Sequence, residues 1–356
     1  ADAIDRVIEA LQRFRKVADI SDARIFAVAT SAVREAENAE VFLERARREA
    51  GIDVEVISGP EEARLIHLGV LQAVPVFDQQ VLVMDIGGGS TEFLVGKRGE
   101  TLAVGSLKIG ALRLTRKFFA DEPITAKAVD ACRRSIRATL APMAREVQRA
   151  GFEVAIGASG TIETVAAMAQ AARGDGTTPK TLNNFEFTRS EVKGVVKGLI
   201  AADTVDKRRE LAGLDPTRVD IILAGALILE AAMKEMGISK MVVSDYALRE
   251  GALLDGLARI RGGALHHLQD LRRHSVIRLM EALDEDPAHS QRAAALALRL
   301  FDETEEWHGL GDDRRELLEA AALLCNVGRS VAHSGHHKHS YYLIRNTEQL
   351  SGFTDH

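Results

Sequence analysis

The sequence predicts an α/β protein followed by an all-helical module. Three observations lead to this fold class. Short β-rich runs alternate with amphipathic helical runs up to about residue 260. Two of the strands run directly into turns that are rich in glycine and hydroxyl residues, at 86–91 and 157–161. After about residue 265 only helical stripes recur, near 268–283, 288–305 and 312–325.

The composition is that of a globular protein and limits the kinds of function. The chain has 356 residues, 46% hydrophobic and 28% charged, with a formal net charge of −6. This length favours two or three domains, and the negative charge argues against nucleic acid bound by bulk electrostatics. Two cysteines without a CxxC pair argue against disulfides and zinc and fit a cytoplasmic location. There is no apolar run of ~20 residues for a membrane span and no signal peptide at the start.

Apolar periodicity predicts the individual elements. Residues 2–17 should form an amphipathic helix, because their apolar side chains recur at i, i+3, i+4 and i+7. Residues 24–30 (RIFAVAT) should form a buried strand, with Arg34 about one turn beyond its carboxyl end, where open sheets place their ligands. The other predicted elements are, in order, helix 40–49, strand 53–57, a helix from Ser58 with a Ser58–Glu61 capping box, hairpin 81–95, strand 101–107, helices 110–118 and 125–150, strand 154–156, helices 190–202 and 218–236, strand 240–243 and a helix that begins within 244–251.

The central feature is the hairpin, VLVMDIGGGSTEFLV, with two β-rich runs around a glycine cluster. Glycines let a backbone reach positive φ and approach a ligand, and consecutive N–H groups form a concave anion site. Asp85, at the end of a buried strand, is placed to hold a hard cation such as Mg²⁺. A tight turn with exposed polar residues is the structural alternative. The number of functional groups favours a ligand site: Asp85, Gly87, Gly88, Gly89, Ser90, Thr91 and Glu92.

A second turn of the same kind, GASGT, follows strand 154–156 and opens a helix. Two such turns on separate strands predict a phosphate chain held by backbone N–H groups, with metal ions between carboxylates and phosphate oxygens. The sequence contains no GxxxxGK[ST] P-loop, and the glycines of GASGT do not fit GxGxxG. The pattern therefore favours phosphoryl transfer that depends on positioning and charge neutralisation.

Three further groups of side chains allow a functional or a structural interpretation. Glu61 or Glu62, in the first turn of a helix, would be easily ionised and would accept a proton from water; both would otherwise serve only the cap and the helix dipole. Arg34 either clamps a phosphate with its planar fork or pairs with a surface acid. A run of histidines is interpreted as solvated side chains in a polar loop rather than a metal site: His333, His336, His337 and His339.

Five segments together resemble the exopolyphosphatase/guanosine pentaphosphate phosphatase (Ppx/GppA) family, and most of all an exopolyphosphatase. The resemblance implies two actin/sugar-kinase-like (ribonuclease H-like) domains with the active site in the cleft, plus a C-terminal all-helical HD-like module. The implied bounds are 1–75 for domain I, with 247–262 packing back on it, 76–246 for domain II and 265–356 for the module. The segments that carry the resemblance, in the family's order, are ATSAVREA (29–36), ISGPEEARLIHLGV (57–70), VMDIGGGSTEFLVG (83–96), AIGASGTIET (155–164) and VSDYALREG (243–251).

The resemblance also implies an activity and residue roles. The activity is Mg²⁺-dependent hydrolysis of the terminal phosphate of inorganic polyphosphate; the alternatives are a guanosine pentaphosphate (pppGpp) phosphatase and a non-catalytic polyphosphate or alarmone-binding module. Glu62 and Glu92 are implied as catalytic carboxylates and Asp85 as the metal-linked acid, in a cytoplasmic homodimer. The implied phosphate-binding residues are Arg34, Gly87, Gly88, Gly89, Ser90, Thr91, Gly157, Ser159, Gly160 and Thr161.

The chain departs from the family's pattern in three places. No DxGSNS-like loop precedes the first helix, so the front of domain I is expected to be missing. Cys325 and Asn326 stand where HD modules carry His-Asp, although His289 is present, so we expect a module without a metal, in which Cys325 packs in an apolar helix. Longer members also continue beyond residue 356. Six basic side chains either line a polymer channel or lie on solvated helix faces, and the solvated face is favoured for any single one: Lys108, Arg113, Arg116, Lys117, Arg272 and Arg273.

Overall fold

The computed structural model describes residues 2–98, 100–174, 181–261, 273, 276–277, 279–347 and 350. The chain folds as two compact units, Ala1–Gly262 and Gly263–His356. The first is α/β, and the described part of the second is helical, which confirms the predicted fold class. No helix in the described ranges is long and apolar enough to cross a membrane.

The N-terminal part of the first unit contains a small parallel sheet covered by helices. Its two strands pair with Ala27 opposite Val54, and the first and third helices pack around Ile8, Phe42 and Ala46. The third helix ends at Gly51, whose φ of 64° is the left-handed conformation expected of a glycine cap. The elements are α1 (Asp2–Ile20), β1 (Ala27–Ala29, shorter than predicted), α2 (Ser31–Arg34), α3 (Ala39–Ala50), β2 (Val54–Val56) and α4 (Gly59–Ala73).

A six-stranded sheet forms the centre of the first unit, in the order β5-β4-β3-β6-β8-β7. β3, β4 and β5 are antiparallel neighbours, whereas β3, β6 and β8 run parallel. The carboxyl ends of three parallel strands therefore meet at one edge, where open α/β sheets bind their ligands. The strands are β3 (Val81–Ile86), β4 (Thr91–Lys97), β5 (Glu100–Leu107), β6 (Val154–Ala158), β7 (Glu186–Thr188) and β8 (Lys240–Ser244).

In the described part of the first unit, seven α-helices follow β5. One of them, 222–235, is buried over almost its whole length and packs in the main core with Phe93 and Phe187. β7 and the helix 205–209 have three and five residues, too few for a periodic pattern, and were not predicted. The helices are α5 (Ala111–Phe118), α6 (Ala126–Ala150), α7 (Gly160–Arg173), α8 (Arg189–Ala201), α9 (Val205–Arg209), α10 (Ile222–Glu235) and α11 (Leu248–Arg261).

Helix α4 is held between the six-stranded sheet and α11. The backbones of α4 and α11 touch, because a Cβ atom on Gly251 would lie 1.7 Å from the Leu65 carbonyl oxygen. A Cβ atom on Gly69 would lie 2.1 Å from the Ala247 carbonyl oxygen. Only glycine permits this approach at both positions. The position of α4 is therefore fixed on both sides.

The second unit has a small apolar core that includes Leu279, Met280, Leu323 and Val327. The interpretation of the histidine run as a loop is wrong, since His336, His337 and His339 lie in a helix whose Leu343 and Ile344 pack on this core. The described helices are α12 (Pro287–Glu303), α13 (Glu305–His308), α14 (Asp312–Leu324) and α15 (His336–Asn346). The first part of the predicted helix 268–283 and Arg272 lie outside the described residues.

The Cys-Asn pair occupies two different environments. Cys325 is exposed, so the expected packing role is wrong; the chain leaves α14 there, and the apolar contacts pass to Leu323 and Leu324. Asn326 is buried and its amide donates to the Ser290 hydroxyl at 3.3 Å. Among the described residues, no three His, Cys, Asp or Glu side chains are grouped to hold a metal ion.

Replacing Gly251 by alanine should lower the free energy of unfolding by about 1–3 kcal/mol, because the new methyl group would overlap the backbone of α4. Gly198, inside α8, is the matched control: a Cβ atom there has open space, so alanine should raise stability by up to about 1 kcal/mol. Denaturant unfolding measures both changes. Equal effects at the two glycines would contradict the close contact of α4 and α11.

Candidate active site

The hairpin turn between β3 and β4 is fixed by backbone hydrogen bonds. Asp85 pairs with Glu92 across the two strands, so the two acids lie side by side. Gly87 N–H donates to the Ser90 carbonyl oxygen at 3.0 Å, and the Gly87 carbonyl accepts from the first N–H of α5, that of Ala111, at 2.9 Å. The turn is therefore held in one geometry before any ligand arrives.

The three glycines of the turn act through close approach and not through positive φ. The expectation of positive φ is wrong for Gly87, Gly88 and Gly89, none of which has a left-handed backbone. A Cβ atom on Gly89 would lie 2.7 Å from Ser31 Oγ. The turn touches α2 at this point, and a side chain would separate the two.

The two hydroxyl residues of the turn are buried and have protein partners. Thr91 Oγ1 donates to the Ile109 carbonyl oxygen at 2.5 Å. The Ser90 hydroxyl acts on the neighbouring Glu92 carboxylate and lowers its pKa in part. In this structure both hydroxyls stabilise the turn, and their predicted contacts with phosphate stay predictions.

Ser159 brings the second turn against the first. Its hydroxyl accepts from the Ile86 N–H at 3.3 Å and from the Ile162 N–H at 3.4 Å, so it links β3 to the start of α7. Its φ of 138° is uncommon for a residue with a side chain and is typical of functional sites.

The other residues of the second turn have packing contacts. Gly157 lies inside β6, where a Cβ atom would meet Ile162 at 2.6 Å. Thr161 is buried and packs against a glycine of α10. Gly160 faces a guanidinium: a Cβ atom there would lie 1.7 Å from Nη2 of Arg218. The predicted roles of these three residues in phosphate binding stay predictions.

At the start of α4, Glu61 and Glu62 have different environments, although the sequence pattern did not distinguish them. Ser58 caps the helix and accepts from the Glu61 N–H at 3.3 Å. The capping box is incomplete, because the Glu61 carboxylate pairs with Arg64 at 2.7 Å, and Arg64 also holds Asp255 at 2.6 Å. Glu62 is buried, with 7% of its surface exposed. Glu61 therefore has a structural role, and Glu62 is the acid available for chemistry.

Burial and the nearby Glu92 carboxylate raise the pKa of Glu62 to about 7, although the Arg34 charge lowers it in part. Arg34 Nη1 lies 3.6 Å from Glu62 Oε2, too far for a hydrogen bond. The same Nη1 donates to the Ile57 carbonyl oxygen at 2.5 Å. Glu62 Oε2 is buried and has no hydrogen-bond partner among the residues that the structure describes. A carboxylate oxygen without a partner is costly in a folded protein and is typical of functional sites.

Asp85 and Glu92 complete a cluster of three carboxyl groups. Burial and the charges of Glu92 and Glu62 raise the pKa of Asp85 well above its usual value. Burial also raises the pKa of Glu92. The Ser106 hydroxyl, which donates to Glu92 Oε1 at 2.7 Å, lowers this pKa in part. Ionised, the three carboxyl groups would repel one another, and a bound divalent cation would relieve that repulsion. Mg²⁺ binds through one or two carboxylates and takes its other ligands from water and phosphate, so these acids are compatible with the predicted Mg²⁺, which stays a prediction.

Sequence analysis missed an ion-pair cluster beside the hairpin turn. Arg113 Nε donates to the Gly89 carbonyl oxygen at 2.7 Å, and its Nη2 contacts the Glu35 carboxylate at 2.9 Å. Lys108 lies 3.6 Å from the same carboxylate. The Ser31 hydroxyl and then Arg113 hold the pKa of Glu35 below its usual value. Arg113 and Lys108 were candidates for a polymer channel; Glu35 neutralises part of their charge here.

Sequence analysis also missed two charged residues beside the second turn, Arg218 and Glu163. Arg218, in the short helical turn Pro216–Arg218, lowers the pKa of both Asp85 and Glu163 by its charge. Burial and the charge of Asp245 raise the pKa of Glu163, which lies in the first turn of α7. Glu163 lies two residues after the end of GASGT and was visible in the sequence. Arg218 is distant in sequence from every strand end, so no pattern pointed to it.

Two family models match the chain. The model of the Ppx/GppA phosphatase family matches residues 1–260, and that of Ppx/GppA phosphatase domain III matches residues 271–356. The structure is similar to that of an exopolyphosphatase from Cytophaga hutchinsonii, with 32% sequence identity, a TM-score of 0.66, and coverage of 74% of this chain and 84% of that chain. It is also similar to the Ppx/GppA family member from Aquifex aeolicus, with 30% identity, a TM-score of 0.61, and coverage of 73% and 83%.

The comparisons agree with the fold described above. The first family model covers the whole α/β unit up to residue 260, and both solved structures cover about three quarters of the chain. The fold expected from the resemblance is therefore confirmed. The chain belongs to the Ppx/GppA phosphatase family and is a phosphoanhydride hydrolase.

Proposed function

We propose that the protein removes the terminal phosphate of inorganic polyphosphate, with water as the nucleophile and Glu62 as the base. One observation carries the proposal: Glu62 Oε2 is buried without a hydrogen-bond partner among the described residues, next to two further acids and Arg34. An acceptor with a pKa of about 7 is half ionised at neutral pH, which suits a general base. A module that only bound phosphate would have no need of this acid.

The residues divide the reaction between them. Glu62 takes a proton from water as the water oxygen bonds to the terminal phosphorus, and the bond from that phosphorus to the bridging oxygen breaks. The products are orthophosphate and a chain shortened by one phosphate. Arg34 and the backbone of the hairpin turn stabilise the charge on the phosphate oxygens. Glu92, beside Glu62, keeps the pKa of the base high.

Asp85, at the end of β3, would hold the metal ion. Bound Mg²⁺ would neutralise charge on the phosphates. Without it, Asp85 carries a pKa raised by burial and by its two acidic neighbours. The ion's other ligands would come from water and substrate, as the small number of acids at the site requires.

Polyphosphate fits the site better than pppGpp does. The side chains that surround the two turns are acids, arginines and hydroxyls, and none of those identified above is aromatic. They recognise phosphate, whereas a guanine base is usually held by stacking as well as hydrogen bonds. The homodimer and the cytoplasmic location stay predictions from the sequence.

Orthophosphate release from long-chain polyphosphate and from pppGpp tests the proposal directly. We expect faster release from the polymer, and we expect Glu62→Gln to lower kcat about a hundredfold or more, since it removes the proton acceptor. Polyphosphate binding by that variant should stay nearly unchanged. Glu61→Gln is the matched control and should retain activity. Hydrolysis of the nucleotide alone would favour the pppGpp phosphatase, and binding without phosphate release would favour the binding module.

The stability of the protein should depend on pH through Glu62. Its folded pKa of about 7 lies above the ordinary value of 4.5, so between these values the folded state keeps a proton that the unfolded state has lost. The stability that this carboxyl contributes is present below pH 4.5 and is lost as the pH rises to 7. Glu62→Gln should therefore raise the free energy of unfolding by about 3 kcal/mol at pH 8 and change it little at pH 4.5.

Glu61→Gln serves again as the control for that measurement. Glu61 pairs with Arg64 on the same turn of α4, so its neutralisation should bring no gain in stability at pH 8. Unfolding by denaturant at the two pH values compares the variants. The same pH dependence in both would show that Glu62 is not the titrating group.

Arg34→Ala should move the pH profile of kcat/KM. In the wild type this ratio should rise with pH and level off above about 7, as the base becomes ionised. Because the Arg34 charge lowers the pKa of Glu62, its loss should shift the inflection to higher pH and also raise KM. Arg113→Ala, whose cation is paired with Glu35, should leave the inflection in place. An inflection that moves in neither variant would belong to the substrate.

A further inference from the structure

A basic cavity lies at the end of the six-stranded sheet opposite the candidate active site. It has a volume of about 800 Å³ and is lined by α6, α8, α10 and Ser239, which directly precedes β8. The active-site turns follow the carboxyl ends of β3 and β6, which run parallel to β8. The cavity and the active site are therefore separated by at least the length of β8, about 16 Å for its five residues.

The lining carries a marked excess of positive charge. The chain as a whole has a net charge of −6, so the excess is local and is not a property of the whole surface. Clusters of this kind raise the local concentration of anions. Five cationic side chains line the cavity against two acidic ones: Arg133, Arg137, Arg189, Lys193 and Lys234 against Glu230 and Glu235.

Within the described residues, most of these cations have no ion-pair partner. Arg133 pairs with Glu230 at 2.8 Å. For the other four cations, no ion pair forms within the part of the chain that the structure describes. Like charges that share a cavity repel one another. An anionic ligand would remove that repulsion.

The cations form a row along one helix. Arg189, Lys193 and Lys197 recur every four residues and lie on one face of α8. Lys193 and Lys197 also line an adjoining cavity of about 430 Å³. Gly194 lines the same cavity, and a Cβ atom there would meet nothing. The row suits an extended polyanion more than a single phosphate.

The chemistry of the lining selects phosphate over nucleic acid bases. None of the described side chains that line either cavity is aromatic, and single-stranded nucleic acid is usually held by stacking on aromatic rings. The hydroxyls of Ser190 and Ser239 add donors for phosphate oxygens. A linear chain of phosphates, without bases or sugars, fits these groups.

We propose that this cavity and the row along α8 bind the distal part of a long inorganic polyphosphate chain while its end is hydrolysed. The inference rests on the proposed function for the identity of the polymer. Binding at a second place keeps the chain end near the active site and raises its effective concentration. A short chain cannot reach both places, so the advantage is limited to long polymers.

The triple variant Arg189→Gln/Lys193→Gln/Lys197→Gln tests the proposal. KM for long-chain polyphosphate should rise about tenfold, because three exposed charge contacts together account for about one power of ten in affinity. Both kcat and the KM for tripolyphosphate should stay unchanged. The matched control neutralises three exposed cations of α6 outside the cavity, in Lys127→Gln/Arg134→Gln/Arg145→Gln. Equal KM values for the two triple variants would overturn the proposal.

Direct binding separates this proposal from the proposed function. In the Glu62→Gln background, long-chain polyphosphate should bind the α8 variant more weakly than the α6 control, with a log–log salt slope smaller by about 2. That result stands even if the wild type releases no phosphate from the polymer. If phosphate is released but the α8 variant binds as the control does, only the second site is wrong. Single-stranded RNA that binds as tightly as polyphosphate, and through the same three residues, would also overturn the proposal.

Discussion

The site depends on the burial of three carboxyl groups, Glu62, Asp85 and Glu92. Burial raises the pKa of all three; the charge of Glu92 further raises the pKa of Glu62, and the charges of both glutamates further raise that of Asp85. Each acid alone would lower its free energy by moving into water. They stay together because Asp85 and Glu92 are paired across the hairpin, and because Glu62 lies on helix α4, whose position is fixed by its neighbours. The rest of the α/β unit can be understood as the framework that maintains this unfavourable arrangement. Stability given up at an active site in this way is a common basis of function.

Two features of the framework hold the three acids in place. Helix α4 is pressed against α11 through glycines, so the buried end that bears Glu62 has a fixed position. The hairpin turn is bonded to the start of α5 through its carbonyl groups and to α7 through Ser159. Both arrangements use backbone atoms more than side chains. Backbone contacts reorganise little during a reaction, which is the condition for effective electrostatic stabilisation of phosphate charge.

Most of the fold could be predicted from the sequence, because long periodic helices and β-rich runs carry their own signals. The hairpin and α6 are examples, whereas β7 and α9 are too short to show a period. At the site, the strand ends and glycine turns gave the correct region. Patterns could not separate Glu61 from Glu62, since their difference arises from Arg64 and Asp255, and the latter is 191 residues away from Arg64. Arg218 and the row along α8 likewise acquire meaning only from tertiary contacts.

The glycine-rich turn also shows why a motif and its mechanism are separate matters. The sequence suggested glycines with positive φ and hydroxyls free for phosphate. The structure instead uses Gly89 for contact with α2 and Thr91 for a bond to Ile109. The turn is thus a rigid support. The positive charges around it belong to arginines, and one of them, Arg113, is paired with Glu35. A site built in this way keeps its acids buried and its cations within reach of the ligand. This arrangement allows an anionic substrate to approach a cluster of carboxyl groups.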